Sequence, residues 1–360
     1  DGPRRLPPAG VGEQPPPLAE REVRVPVGAE PLLRLLSHSG SCHAAGVSAA
    51  IGRLGVEYFF VLSGFLITGL LLRARGTGDI ANASRLANFF VRRSLRIWPA
   101  YYLLLAFLLW RNHEHIRDTA GWHLLYGSNV LFWLRDRWDP WVASHFWSLA
   151  VEEQFYLVWP FLIYWTPRRV LRWLLPTLAI GSWCVAFAFD TFFSIHANVG
   201  FDVLMPFSLL SLGLGSTLAL WRMDHPHVVL SLWPAGLLCA AILTIGIAWY
   251  GPSALDSGWA RPLTTICFVW GITVLSSYPA TALARMLSAR PLAYLGRISY
   301  GVYLYHLLVL YYLVQSNHGP RLVTGSSTFL ITWAASVALA SLSWHAFERP
   351  ANALKAKFIF

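Results

Sequence analysis

Nine stretches of this chain are apolar over lengths near those needed to cross a bilayer, and that repetition limits the fold more than any other feature. A spanning helix needs roughly 20 apolar residues. Segments near 54–72, 144–166, 170–189, 200–221, 228–250, 262–278, 292–314 and 324–346 fit that scale, with a shorter one at 97–110. Hydrocarbon offers no partner to a backbone N–H or C=O, so runs of this kind satisfy their backbone as helices. The expected fold class is all-α, a polytopic membrane helix bundle. A weaker tenth segment, 32–51, carries Arg34, His38 and His43 and brings the expectation to about ten transmembrane helices. Charged residues make up 13% of the chain, where a soluble domain carries about 25%. Eighteen Trp and fourteen Tyr suit aromatic belts at two membrane interfaces.

The basic residues sort by side. With loops alternating across the spans, sixteen Lys and Arg fall on one side, Arg92, Arg93, Arg96 and Arg168 among them, and six on the other. The positive-inside rule places the richer side in the cytoplasm. If 32–51 also spans, Arg4, Arg5, Arg21 and Arg24 join that side and both termini are cytoplasmic. Topology then accounts for the net charge of +10, and no nucleic-acid partner is expected. Residues 1–31, rich in Pro, Gly and Arg, read as a disordered or aberrant tail without a signal peptide. Residues 32–350 read as one membrane domain and 351–360 as a short cytoplasmic tail. The four cysteines form no CxxC pair, so neither a metal site nor a disulfide framework is expected.

Within the apolar background, HFWSLAVEEQFYLVWP (145–160) places two carboxylates, Glu152 and Glu153, beside a histidine and a serine. An ionised group in a span is expected to face the bundle interior, a water-filled cavity or a partner. At about 100° per residue, with Ser148 at zero, Glu152 falls near 40°, His145 near 60° and Tyr156 near 80°. The four share one stripe, with Glu153 at its edge. Two readings stay open: an interfacial cap whose carboxylates pair with arginines, or a polar cavity in which a carboxylate orients a base.

Other stretches carry chemistry. RRSLRIWPAYYLL (92–104) sets Arg92, Arg93 and Arg96 on the inner face, where guanidinium groups would bind phosphate or simply anchor the helix. GVEYFFVLSGFLITGLLL (55–72) holds Glu57, Ser63 and a Gly64 suited to close helix approach. LGRISYGVYLYHLLV (295–309) holds His306, and FERP (347–350) follows the last span. In this order and spacing, over about 54–350, these motifs resemble the acyltransferase 3 family of bacterial membrane proteins. The resemblance implies transfer of an acyl group, commonly acetyl, from cytoplasmic acyl-CoA to a hydroxyl of a carbohydrate or glycosylated acceptor. The setting implied is the bacterial inner membrane. It further implies acyl-CoA as co-substrate with no resident cofactor or metal, and acyl-CoA binding at Arg92, Arg93 and Arg96. His43, His145, Glu152, Glu153 and Glu57 are then catalytic candidates. Ser148, Trp147, Tyr156 and His306 are substrate-facing candidates, with a packed, hydrogen-bonded role the simpler one for His306.

One motif departs from the family. Its first helix carries an Arg and a His eleven positions apart, on one face. Here Arg34 and His43 are nine apart, on opposite faces, and no Arg of the tail has a His at the family spacing. Family-like sequence is expected to begin near Gly52, which suggests a shifted reading frame or a displaced gene start upstream; the coding DNA tests this. His43, His38 and His145 stand in as candidate bases. A polar-solute transporter and an inactive relative are the alternatives, although no internal repeat of the kind many transporters show is visible.

Overall fold

The computed structural model describes residues 42–75, 82–192, 199–225, 233–251, 254–255, 257–316 and 325–358. The tail 1–31 and the first ten residues of the weak segment 32–51 lie outside them. Every regular element among the described residues is helical. In chain order these are α1 (Cys42–Ala74), α2 (Asn82–Arg111), the short α3 (Ala120–Leu124) and α4 (Ser128–Arg135), α5 (Phe146–Trp165) and α6 (Arg168–Phe192). They continue as α7 (Leu209–Asp224), α8 (Trp233–Tyr250), α9 (Ala260–Ser277), α10 (Ala282–Leu287), α11 (Arg290–Ser316), α12 (Gly325–Ser343) and α13 (Arg349–Ala353).

Within the described residues each of the nine apolar segments is helical. Their bounds differ from expectation where polar residues continue a helix beyond its apolar part. Residues 42–51 continue directly into α1, so this half of the weak segment shares a helix with 54–72. The 97–110 segment is the second half of α2, whose first half carries the arginines. The 200–221 segment opens as two 3₁₀ turns, Phe201–Val203 and Met205–Ser208, before α7. By length and apolarity, Gly52–Ala74, Arg168–Phe189 and Ser327–Lys357 suffice to cross a membrane, and Pro234–Tyr250 is a shorter apolar helix.

Helix α5 stands between two cores. Phe146, Leu149 and Ala150 pack with Tyr101, Leu105, Ile298 and Leu304 of α2 and α11, while Val151, Phe155 and Trp159 pack with Ile67, Phe89 and Leu212 of α1, α2 and α7. Large apolar side chains also cover the outside, including Leu157, Phe161 and Trp165 of α5 and Leu238, Ile245 and Trp249 of α8. Apolar cover over this many helices is what a lipid solvent requires and water penalises.

Helices α1 and α7 cross at backbone contact. A Cβ at Gly64 would meet the Leu212 carbonyl carbon at 2.8 Å, and one at Gly215 would meet that of Val61 at 2.9 Å. Only glycine permits this approach, which is how small residues pack helices in membranes. The crossing holds Ser63, beside Gly64, over α5.

The connection 112–145 returns to the bundle. Tyr101 and Tyr102 donate to the carbonyls of His123 and Leu124 at 2.7 and 3.0 Å, and the Tyr101 and Tyr126 rings stack at 4.4 Å. Gln154 of α5 donates to the Tyr126 carbonyl at 2.9 Å and exchanges two amide hydrogen bonds with Asn129, whose amide also reaches the Val203 carbonyl. Glu114 accepts the Val142 N–H at 2.8 Å, and burial raises its carboxyl above the ordinary range. His123 is fully buried between Thr119 and Ser128; burial, then Arg135, lowers its pKa to about 4.

Candidate active site along helix α5

The polar stripe of α5 is buried as its spacing predicted, but its members divide between different partners. Glu152, 3% exposed, accepts from Ser63 Oγ at 2.8 Å and from Tyr156 OH through the same oxygen, Oε1. Tyr156 is one turn along the helix, so this bond follows from i,i+4 spacing. His145 does not bond to Glu152. Its Nε2–H donates to the Leu304 carbonyl of α11 at 3.0 Å, and its Nδ1 is buried without a hydrogen-bond partner. The stripe therefore aligns the residues without pairing a carboxylate to this histidine.

Two cavities flank α5. The first, about 350 Å³, lies between α2, α5 and the returning connection and is lined by Arg93, Trp98, Tyr126, Glu153, Gln154 and Tyr156, among others. Trp98 Nε1 donates to Glu153 Oε2 at 3.4 Å, whereas Glu153 Oε1 and the Tyr126 hydroxyl are buried without partners. The Arg93 guanidinium lies over the Tyr156 and Phe89 rings at 5.3 and 5.8 Å, so cation–π contact holds it in the cavity wall. Arg96 is exposed and makes no hydrogen bond or ion pair among the described residues. Arg92 is committed elsewhere: it donates to the carbonyls of Lys355 and Phe358 at 3.0 and 2.9 Å. The three arginines thus have three environments.

The second cavity, about 510 Å³, lies between α1, α5, α11 and α12. Its polar end is Ser148, Tyr303 and His306, and its walls include Phe59, Val302, Trp333 and Val337. Ser148 Oγ and Tyr303 OH lie 2.5 Å apart, and each also reaches the His145 carbonyl, at 3.1 and 3.2 Å. His306 Nδ1–H donates to the Tyr303 carbonyl of its own helix at 2.5 Å. Expected to be packed and hydrogen-bonded, His306 is hydrogen-bonded at one nitrogen only among the described residues.

The remaining candidates sit apart. Glu57 of α1, 5% exposed, faces Arg261 Nε of α9 at 3.4 Å and accepts from Thr264 Oγ1 at 2.9 Å. Trp147 packs edge-on against Phe60 at 6.0 Å and near Trp138, lining neither cavity. His43 lies in the first turn of α1, and its side chain is outside what the structure describes. Among the described residues no three His, Cys, Asp or Glu side chains are grouped to hold a metal ion. Gln154, Asn129, Tyr126 and Tyr303 were not singled out from the sequence. Only Gln154, an amide in an apolar run beside two carboxylates, carried a signal there.

A family model described as an acyltransferase domain matches residues 26–345. The chain belongs to the acyltransferase 3 family. The match begins upstream of Gly52, so family-like sequence starts earlier than the motifs alone suggested. The chain is 29% identical to Peptidoglycan O-acetyltransferase OatA of Listeria monocytogenes over 341 residues, covering 83% of this chain and 51% of that protein. It is 31% identical to Putative peptidoglycan O-acetyltransferase YrhL of Bacillus subtilis over 334 residues, 83% and 50% of the two chains. It is also similar to Nodulation protein 10 of Rhizobium leguminosarum bv. viciae, at 29% identity over 85% of this chain and 83% of the relative. The chain spans about half the length of the first two relatives. No solved structure matches it.

Proposed function

We propose that this protein is an integral membrane O-acyltransferase that moves an acyl group, acetyl foremost, from cytoplasmic acyl-CoA to a hydroxyl of a cell-envelope carbohydrate. The observation that carries the reading is the first cavity, where Arg93 is fixed over two aromatic rings beside the unpartnered Glu153 and Tyr126 oxygens. In this reading Arg93 and the neighbouring exposed Arg96 hold the phosphates of acyl-CoA, for which guanidinium geometry is suited. Glu153 accepts an amide N–H of the pantetheine arm and Tyr126 donates to an amide carbonyl. Arg92 secures the end of the chain and leaves the donor to the other two.

The membrane arrangement proposed is nine spans in the bacterial inner membrane with residues 351–360 cytoplasmic, supported by the sixteen-to-six division of basic residues; residues 42–51, continuous with α1, add no separate tenth span. Residues 32–350 form the acyltransferase domain in this scheme. A peptidoglycan-type glycan is the favoured acceptor because two of the relatives are named for that activity. A histidine takes the proton of the acceptor hydroxyl, and Glu152 orders the adjoining wall through Ser63 and Tyr156.

The test is acyl transfer by the purified chain in liposomes given acetyl-CoA and peptidoglycan-derived glycan strands. CoA release with acetyl ester on the glycan is expected. Arg93→Ala is expected to raise the KM for acetyl-CoA at least tenfold, whereas Arg92→Ala lowers stability and leaves that KM near the parent value. Equal KM values for the parent and the Arg93 variant would remove the donor site from this cavity. Glycan flux without CoA release would establish the transporter instead.

A further inference from the structure

We propose that His306 is the proton-accepting residue of the transfer and that the 510 Å³ cavity it lines is where acceptor hydroxyl and acyl carbonyl meet. The inference rests on the acyl-transfer reading above and adds a residue and a place to it. Helix α11 spends one ring nitrogen of His306 on its own backbone: Nδ1–H donates to the Tyr303 carbonyl at 2.5 Å. That bond fixes the tautomer. A neutral ring with hydrogen on Nδ1 carries its lone pair on Nε2. Among the described residues Nε2 has no hydrogen-bond partner, and the ring lines the cavity.

The other buried histidines lack this combination. His123 is bonded through both nitrogens, and His113 is bonded to Tyr312 OH. His145 donates through Nε2 to Leu304, and although its Nδ1 is free, its ring lines neither cavity. Its ring instead lies behind His306, with centroids 5.2 Å apart.

Two hydroxyls face the same space. Ser148 and Tyr303 share the His145 carbonyl as acceptor and lie within hydrogen-bond distance of each other. Once one hydroxyl donates to that carbonyl, the other has a proton to offer. A donor held in this way next to a base is what a developing oxyanion needs. The apolar walls, Phe59, Val302, Trp333 and Val337, exclude water from the thioester. On α5, Ser148 precedes Glu153 of the donor cavity by five positions, about 7.5 Å along the axis. Five positions also turn about 140° around α5, so the thioester end of a donor anchored at Arg93 reaches this cavity by passing around the helix.

The step balances without another reactant. The acceptor oxygen attacks the thioester carbonyl carbon as His306 Nε2 takes the hydroxyl proton. The Ser148–Tyr303 pair donates to the carbonyl oxygen as it gains charge. The C–O ester bond forms and the C–S bond breaks, its electron pair leaving on sulfur. Protonated His306 then returns the proton to the thiolate, giving the CoA thiol and neutral imidazole.

The experiment combines three measurements on the full chain in liposomes with acetyl-CoA and peptidoglycan glycan strands. His306→Gln is expected to lower kcat at least a hundredfold with the KM for acetyl-CoA within twofold of the parent. His306→Ala, which opens space at the polar end, is expected to regain at least tenfold of its lost rate with added imidazole. A residue needed only for packing would show neither the split nor the rescue. Diethyl pyrocarbonate is expected to modify His306 in the folded protein and spare His145. Activity of the His306 variants near that of the parent, with Arg93→Ala impaired, overturns the assignment of the base and leaves the acyltransferase standing. A parent that modifies normally with the reagent yet releases no CoA overturns both.

Discussion

Replacing Gly64 by alanine tests whether the α1–α7 crossing is as close as the structure has it. The new methyl group would meet the Leu212 carbonyl carbon and Cα at 2.8 and 3.1 Å, with the carbonyl oxygen nearer still. Ordinary contact begins at 3.4 Å, so the carbonyl carbon alone requires the two backbones to part by 0.6 Å, the difference between 3.4 and 2.8 Å, and the nearer oxygen requires more. The obstacle is main chain and has no rotamer by which to withdraw. Overpacking of this kind costs about 1–3 kcal/mol. Alanine also gains up to about 1 kcal/mol of helix propensity over glycine, and that gain is shared by any helical glycine. Gly69, on the same helix, is the control, because its added Cβ meets only the Arg73 guanidinium at 3.7 Å and Ala219 at 3.9 Å. Propensity cancels between the two variants and leaves the overpacking. With a backbone obstacle, the upper part of the range applies, about 2–3 kcal/mol. At about 2 °C per kcal/mol for a chain of this size, Gly64→Ala should melt about 4–6 °C below Gly69→Ala in detergent. Because Ser63 moves with Gly64, acyl transfer should also fall in the first variant and persist in the second. Equal melting temperatures would refute the close crossing.

Glu152→Ala leaves two buried hydroxyls, Ser63 and Tyr156, without their shared acceptor, and a loss of about 2 kcal/mol is expected in thermal unfolding. Glu152→Gln keeps an acceptor oxygen and should keep most of that stability. His123 has a folded pKa near 4 against an unfolded value of 6.5, so the unfolded chain takes up the proton first as pH falls. Its contribution is complete above pH 6.5 and is lost as pH drops toward 4, so stability should decrease by about 2 kcal/mol between pH 7 and pH 5. His123→Gln should flatten that dependence, and an unchanged slope would show that other groups cause it. Gly55 lines the larger cavity and a Cβ there meets nothing within 4 Å. Gly55→Phe should therefore fill the reaction space and abolish acetyl transfer while the melting temperature stays level or rises. Retained transfer would place the chemistry elsewhere.

What the sequence made legible follows from the range of the interactions involved. Helix existence depends on length and apolarity within one segment, and all nine segments are helical within the described residues. The Tyr156–Glu152 bond needs one turn of one helix, and spacing put the two residues on one stripe. The partner of His145 is a carbonyl 159 positions away, and no periodicity in α5 points to it. For His306 the decisive fact is local, a bond to Tyr303 three residues back. Its importance depends on a cavity assembled from four helices. Glu57 read as a catalytic candidate because an intramembrane carboxylate draws attention; its neighbours Arg261 and Thr264 belong to a helix two hundred residues on. The connection 112–145 escaped notice because its helices are one or two turns long and carry too few apolar residues for a period to emerge. Yet it supplies Tyr126 to the smaller cavity and Asn129 to the Gln154 side chain that lines it.

The two bonds from Arg92 to the Lys355 and Phe358 carbonyls bear on how the protein is made. These partners leave the ribosome 263 and 266 positions after the arginine does. At about 5–20 residues per second the interval is roughly 13–50 s. For that time α2 sits in a growing bundle with this side chain unmatched, next to Arg93 and Arg96. A chain cut before residue 355 would never reach the matched state. The two bonds that fix Arg92 therefore form only after the helices between α2 and residue 355 have been made, and α2 is positioned by its packing before this arginine is.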